Sequence, residues 1–107
     1  MLVHLRDRLR LNGKISFSRR ELNQILSIYG ARVQNGEWRD YAIDSTADAA
    51  VFSIFRSSQE SPLYRLTKTI SKDGLIKPSQ YTVYSGNKVM KQSADLRDIL
   101  AFLDKET

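Results

Sequence analysis

The apolar positions of this chain change period twice. From Phe17 to Val33 they recur at helical spacing: Leu22, Ile25, Leu26, Tyr29 and Val33 follow at steps of 3, 1, 3 and 4, which is one face of an α-helix. Just before them, Ser18-Arg19-Arg20-Glu21 has the form of a capping box. In that motif the serine hydroxyl accepts from the glutamate amide and the carboxylate reaches back to the serine amide. Phe17 and Leu22 occupy the two positions of a hydrophobic staple. Gly30 weakens the middle of this helix and Asn35-Gly36 stops it, so the pattern predicts a helix over 18–34. Lys14 to Phe17 predicts a short strand ahead of it.

Between residues 37 and 91 the period becomes two. Strands are predicted at 39–44, 50–56, 63–70, 80–85 and 87–91, separated by turn-rich joints at 57–62, 71–74 and Gly86-Asn87. Joints this short require antiparallel neighbours, because a parallel pair needs a crossover of a dozen or more residues. The helical period then returns in Leu96, Ile99, Leu100 and Leu103, predicting a helix over 93–104 with Ser93 as its cap and Asp95 and Asp98 near its positive end. The fold class is therefore α+β, an antiparallel meander sheet of four to six strands flanked by an N-terminal and a C-terminal helix.

Two segments do not resolve so simply. In residues 1–14, Leu2, Leu5 and Leu9 fit a helix stripe, while Val3, Leu5, Leu9 and Leu11 fit a strand alternation, and Asn12-Gly13 ends either. The reading is a basic, mobile or loosely docked arm at 1–14 attached to a single domain at 15–107. In the strand at 50–56, Val51 and Phe55 point one way while Phe52 and Ile54 point the other, so both faces ask for cover. Either the sheet curls around the first helix, or the second face is an interface, most simply that of a homodimer.

Composition sharpens this picture only where it is located. The chain has 107 residues, enough for one domain, with 41% hydrophobic and 27% charged residues, as in globular proteins. The net charge of +5 is not spread evenly. Residues 1–20 hold six basic groups against Asp7, a balance of +5, and the remainder holds eleven of each sign. With no cysteine there are no disulfides, thiolate nucleophiles or cysteine metal sites, which fits a cytoplasmic protein. No apolar run reaches the roughly 18 residues that span a bilayer.

Chemistry is sparse. The single histidine, His4, lies in the arm, so no Ser-His pair is held on a rigid scaffold and no metal set forms around it. The five glycines build no phosphate loop. Asp40 and Asp44 lie roughly 13 Å apart along a strand, too far for an acid–base pair at one bond, and Asp95 and Asp98 serve the helix dipole. An enzyme is therefore not expected, and neither a cofactor nor a metal. Arg6, Arg8, Arg10, Arg19 and Arg20 make a second, nucleic-acid-binding reading, although no aromatic is interleaved with them to stack a base. The densest cluster of recognising side chains is Trp38, Arg39, Asp40 and Tyr41, types that dominate binding hot spots. Its bland alternative has Trp38 and Tyr41 packing on the end of the helix.

Three runs carry a resemblance: Gly-Glu-Trp-Arg-Asp-Tyr-Ala-Ile-Asp at 36–44, Ala-Val-Phe-Ser-Ile-Phe-Arg at 50–56 and Pro-Leu-Tyr-Arg-Leu at 62–66. Together they resemble a family of small alphaproteobacterial proteins known as domain of unknown function 2794, from about Ile15 to Leu103. The resemblance implies a bacterial cytoplasmic setting and brings no activity, cofactor or catalytic residue. The expectation is a non-enzymatic binding or assembly module that contacts another protein or a second copy. Trp38, Arg39, Asp40 and Tyr41 would make the contact, with Arg56 and Arg65 exposed on neighbouring strands.

Overall fold

The structure is a computed structural model and describes residues 13–56, 61–70 and 80–105. Most of the basic arm, including Arg6, Arg8 and Arg10, lies outside the described residues, as do most of the joints predicted at 57–62 and 71–74. The chain forms helix α1 (Arg19–Gln34), strands β1 (Asp40–Ser45), β2 (Ala50–Phe55), β3 (Tyr64–Thr69), β4 (Gln80–Ser85) and β5 (Lys88–Ser93), and helix α2 (Leu96–Lys105). The strands form one antiparallel sheet in the order β1-β2-β3-β4-β5. The predicted α+β meander with a helix at each end is the observed fold.

Local chemistry sets the ends of α1. The Glu21 amide donates to Ser18 Oγ (3.1 Å) and the Ser18 amide donates to Glu21 Oε1 (2.7 Å), which is the predicted capping box. Phe17 joins the buried core and Leu22 packs against it. At the other end Gly36 takes φ +78°, a left-handed value that other residues rarely adopt, and its amide donates to the Val33 carbonyl.

α2 begins later than predicted. Its first helical residue is Leu96, and the Arg97 amide donates to Asp95 Oδ1 at 2.9 Å, so Asp95 is the capping side chain. Ser93 instead ends β5, where its hydroxyl accepts from the Asp95 amide and donates to Asp98. β5 starts one residue later than predicted and ends two residues later, at Ser93, across a register shift at Val83/Tyr84. The expected strand at 14–17 is absent. That segment is irregular, although the Ile15 amide donates to the Thr46 carbonyl and Ile15 and Phe17 are buried.

Both helices pack on the same face of the sheet. In register across the strands, Ala50, Phe52 and Ile54 meet Lys68, Leu66 and Tyr64, which in turn meet Tyr81 and Val83. These side chains are buried, together with Ile25 of α1 and Leu96, Ile99 and Leu103 of α2. Arg32 of α1 fastens the two helices by donating to both Glu37 and Asp104. The second face carries Asp40, Ala42 and Asp44 of β1, Val51, Ser53 and Phe55 of β2, and Arg65 and Thr67 of β3. Neither helix packs on it; Val51 and Phe55 are half-buried there, and Ser53 and Thr82 are buried among their strand neighbours.

Candidate functional site

Two places hold unusual side-chain chemistry. The first is inside. Lys68 stands on the helix-facing side of β3 between Leu66 and Ile70, and it is 0% exposed. A buried ammonium needs a charged partner and filled hydrogen bonds. Lys68 Nζ donates to Glu21 Oε1 at 2.6 Å and to the Ser16 carbonyl at 2.9 Å. Tyr81 donates its hydroxyl to the other Glu21 oxygen. Burial pushes the Glu21 carboxyl up. The bonds from Lys68, Tyr81 and the Ser18 amide, with the charge on Lys68, outweigh it and hold the group below its ordinary 4.5.

A cleft of about 510 Å³ opens over this cluster, lined among others by Arg20, Gln24, Asp95 and Arg97. Three of its charged lining residues are engaged, while Arg20 is exposed. Arg97 donates to Asp95 at 2.9 Å, and Glu21 accepts on both oxygens. A carboxylate bonded on both oxygens, with lowered proton affinity, is a poor general base. The cluster serves instead to pin α1 to β3 and β4. Among the described residues no group of three His, Cys, Asp or Glu side chains is placed to hold a metal ion.

The second place is the β1 margin. β1 is an end strand, and every residue from Asp40 to Asp44 is exposed. Its side chains separate by face. Tyr41 and Ile43 lie toward the helices, opposite Ile54 and Phe52, while Asp40 and Asp44 lie on the uncovered face. Tyr41 stacks on Phe52 (5.0 Å between ring centroids, 9° between planes) and meets Tyr29 of α1 edge-on at 4.8 Å. It nevertheless stays 39% exposed, beside Ile43 at 43%. Val33, one helical turn beyond Tyr29, is 40% exposed. Three of the four large hydrophobic side chains exposed among the described residues therefore belong to this margin or to the helix end packed beside it. Burial, then the charge on Asp40 and the neighbouring Tyr41, raises the Tyr29 phenol above its ordinary 10.

The margin gathers four of the six residues expected from sequence to contact a protein partner: Arg39, Asp40, Tyr41 and Arg56. Arg39, Asp40 and Tyr41 follow one another into β1, and the Arg39 amide donates to the Phe55 carbonyl at 2.8 Å. That contact sets exposed Arg56 beside them. Arg65 stands apart, half-buried on the uncovered face, with its guanidinium 4.9 Å over the Tyr84 ring and a bond to the Gly86 carbonyl. Arg19 and Arg20 are exposed on the first turn of α1. Trp38 is only 1% exposed and packs 6.0 Å from Tyr29, as the bland alternative for this residue has it. Truncating a buried Trp typically costs about 3–5 kcal/mol, so Trp38→Ala is a core mutation and not a fold-neutral probe of binding.

The sequence pattern singles out neither Lys68 nor Ile43 as a site residue, and it presents Asp44 only as one of a carboxylate pair with Asp40. The signal for Lys68 was present: a lysine two residues from Leu66 and two from Ile70 in an alternating strand belongs on the apolar face, and Glu21 was seen only as a cap. Ile43 carries no local signal of exposure, because exposure on an edge strand depends on how far the helix reaches.

A family described as "Protein of unknown function (DUF2794)" matches residues 15–100, and the chain belongs to that family. No curated protein and no solved structure matches the chain.

Proposed function

We propose that this member of the family is a non-enzymatic assembly module whose β1 margin binds a second copy of the same chain. The observation that carries the reading is the exposure of Tyr41 and Ile43 side by side on one end strand, with exposed Val33 on the helix end packed beside it, bordered by Arg39, Asp40 and Arg56. Apolar side chains scattered singly on a surface need no explanation, whereas a contiguous strip rimmed by charge marks a contact surface. A two-fold contact is self-complementary: the basic group at the start of the strip on one copy meets the acidic group further along it on the other.

Light scattering over a range of concentrations tests this. Wild type is expected to rise from the mass of one chain to twice that mass. Ile43→Lys, and separately Arg39→Glu with Arg56→Glu, should remain monomeric with unchanged thermal midpoints, since all three side chains are exposed. A wild type that stays at the mass of one chain up to millimolar concentration would sink the proposal.

A further inference from the structure

β1 ends the sheet, so the backbone groups on its outer side have no strand partner among the described residues. One of them, the Tyr41 amide, is met by the carboxylate of Asp40 at 2.8 Å. At the far end of the strand the Ile15 amide donates to the Thr46 carbonyl, and Ser16 Oγ lies 3.5 Å from Ser45 Oγ. The stretch between, from Tyr41 to Asp44, has no partner strand among the described residues and carries a definite side-chain code: Tyr41 and Ile43 on one side, Asp44 and Asp40 on the other. A strand that adds here must alternate, with apolar residues on the helix side and basic ones on the uncovered side.

The chain carries one segment with that alternation, and it begins where the described residues end. Arg8-Leu9-Arg10-Leu11 is basic, apolar, basic, apolar, in a stretch of twelve residues ahead of Gly13. Set antiparallel to β1 with Arg8 across from Asp44, it places Leu9 across from Ile43 and Leu11 across from Tyr41. Arg10 falls on the acidic side between the two aspartates, within diagonal reach of both. Asp7 ends the pattern, because it would fall on the apolar side. Residues facing each other in an antiparallel pair share a face, so one register satisfies all four positions.

We propose that residues 8–11 of one copy add as an extra strand along β1 of a second copy, and that the exchange is reciprocal. This rests on the self-assembly reading above and names the segment that performs it. The source is a second copy for a physical reason. Within one chain Ile15 and Ser16 already lie beside the last positions of β1 and lead directly into α1. With Ile15 held at Thr46, four residues cannot bring Leu11 of the same chain across from Tyr41 in this register unless the chain turns back on itself, whereas residues 8–11 of another copy meet no such constraint. A reciprocal exchange closes a dimer and leaves neither β1 edge free.

The test uses the full chain and charge reversal. The arm variant is Arg8→Glu with Arg10→Glu, and the strand variant is Asp40→Lys with Asp44→Lys. Each alone is expected to weaken dimerisation by roughly tenfold or more, through like charges across the new pair. Mixing the two variants should yield a one-to-one heterodimer, because the strand variant still supplies a native arm and the arm variant a native β1. Joining all four changes in one chain should restore the homodimer. Loss of dimer in the strand variant alone, with the arm variant unaffected, overturns the arm proposal and leaves the β1 assembly reading standing. Failure of the mixture to associate overturns exchange between copies. A wild type that never dimerises overturns both.

Discussion

A lysine nitrogen removed entirely from water has to be met by negative charge, and in this protein one carboxylate meets it while also capping a helix. Glu21 accepts from Lys68, Tyr81 and the Ser18 amide at once. The linkage follows from the direction of its shift. Its folded-state pKa lies below the ordinary 4.5, so the stabilisation it gives is complete above that value and is lost as pH falls through the lower, folded-state one. Urea midpoints should therefore be flat from pH 7 to about pH 5 and fall below it. Glu21→Gln should lower the midpoint at neutral pH, because it strips the charge from beside a buried ammonium, and should flatten the acid limb. An acid limb equally steep in both proteins would show that other carboxylates govern it. Lys68 also marks what is hard to read from a sequence. An alternating strand tells which face a residue takes, but a lysine on the buried face can be placed only when its partner, 47 positions away, is known.

At the level of elements, the parts that were legible are those specified by neighbours in sequence. The capping box, the stop at Asn35-Gly36 and the tight turn at Gly86-Asn87 each depend on residues within four positions, and each is present where the pattern placed it. The start of α2 was placed too early because Ser93 and Asp95 are both good caps, and the choice fell to pairing. Ser93 sits opposite Tyr81 in the sheet and cannot also begin a helix. The Tyr41-Ile43 margin was not legible for a related reason: whether an outward-leaning apolar side chain on β1 is covered depends on where α1 crosses, which no local pattern encodes. The local cap allows a clean test. Ser18→Ala should cost about 1 kcal/mol, read as a lower urea midpoint at unchanged m-value. The loss should be nearly the same in a Glu21→Gln background, because the bond to the Glu21 carboxylate comes from the Ser18 backbone amide, which alanine keeps. A much larger loss in the background that keeps Glu21 would show that the Ser18 hydroxyl also supports the buried ion pair.

For the molecule as a whole, charge location decides how copies approach one another. The entire excess of +5 lies in residues 1–20, while the margin proposed to receive residues 8–11 carries Asp40 and Asp44. Two copies therefore repel at long range through their net charge and attract at short range where arm meets strand. These effects respond to salt over different distances. The Debye length is about 30 Å at 0.01 M and about 10 Å at 0.1 M, so repulsion across a separation of roughly 25 Å is largely gone by 0.1 M. Paired groups a few ångströms apart are screened much less at that ionic strength and lose strength only as salt rises further. Self-association measured by sedimentation equilibrium should therefore strengthen from about 0.01 M to about 0.1 M salt and weaken again towards 1 M. The strand variant, with no acidic margin left, should lose the high-salt decline because it has no attractive pairs to screen. A dimer that tightens steadily to 1 M salt would mean that the Val33, Tyr41 and Ile43 strip associates by burial alone, with the arm contributing nothing but repulsion.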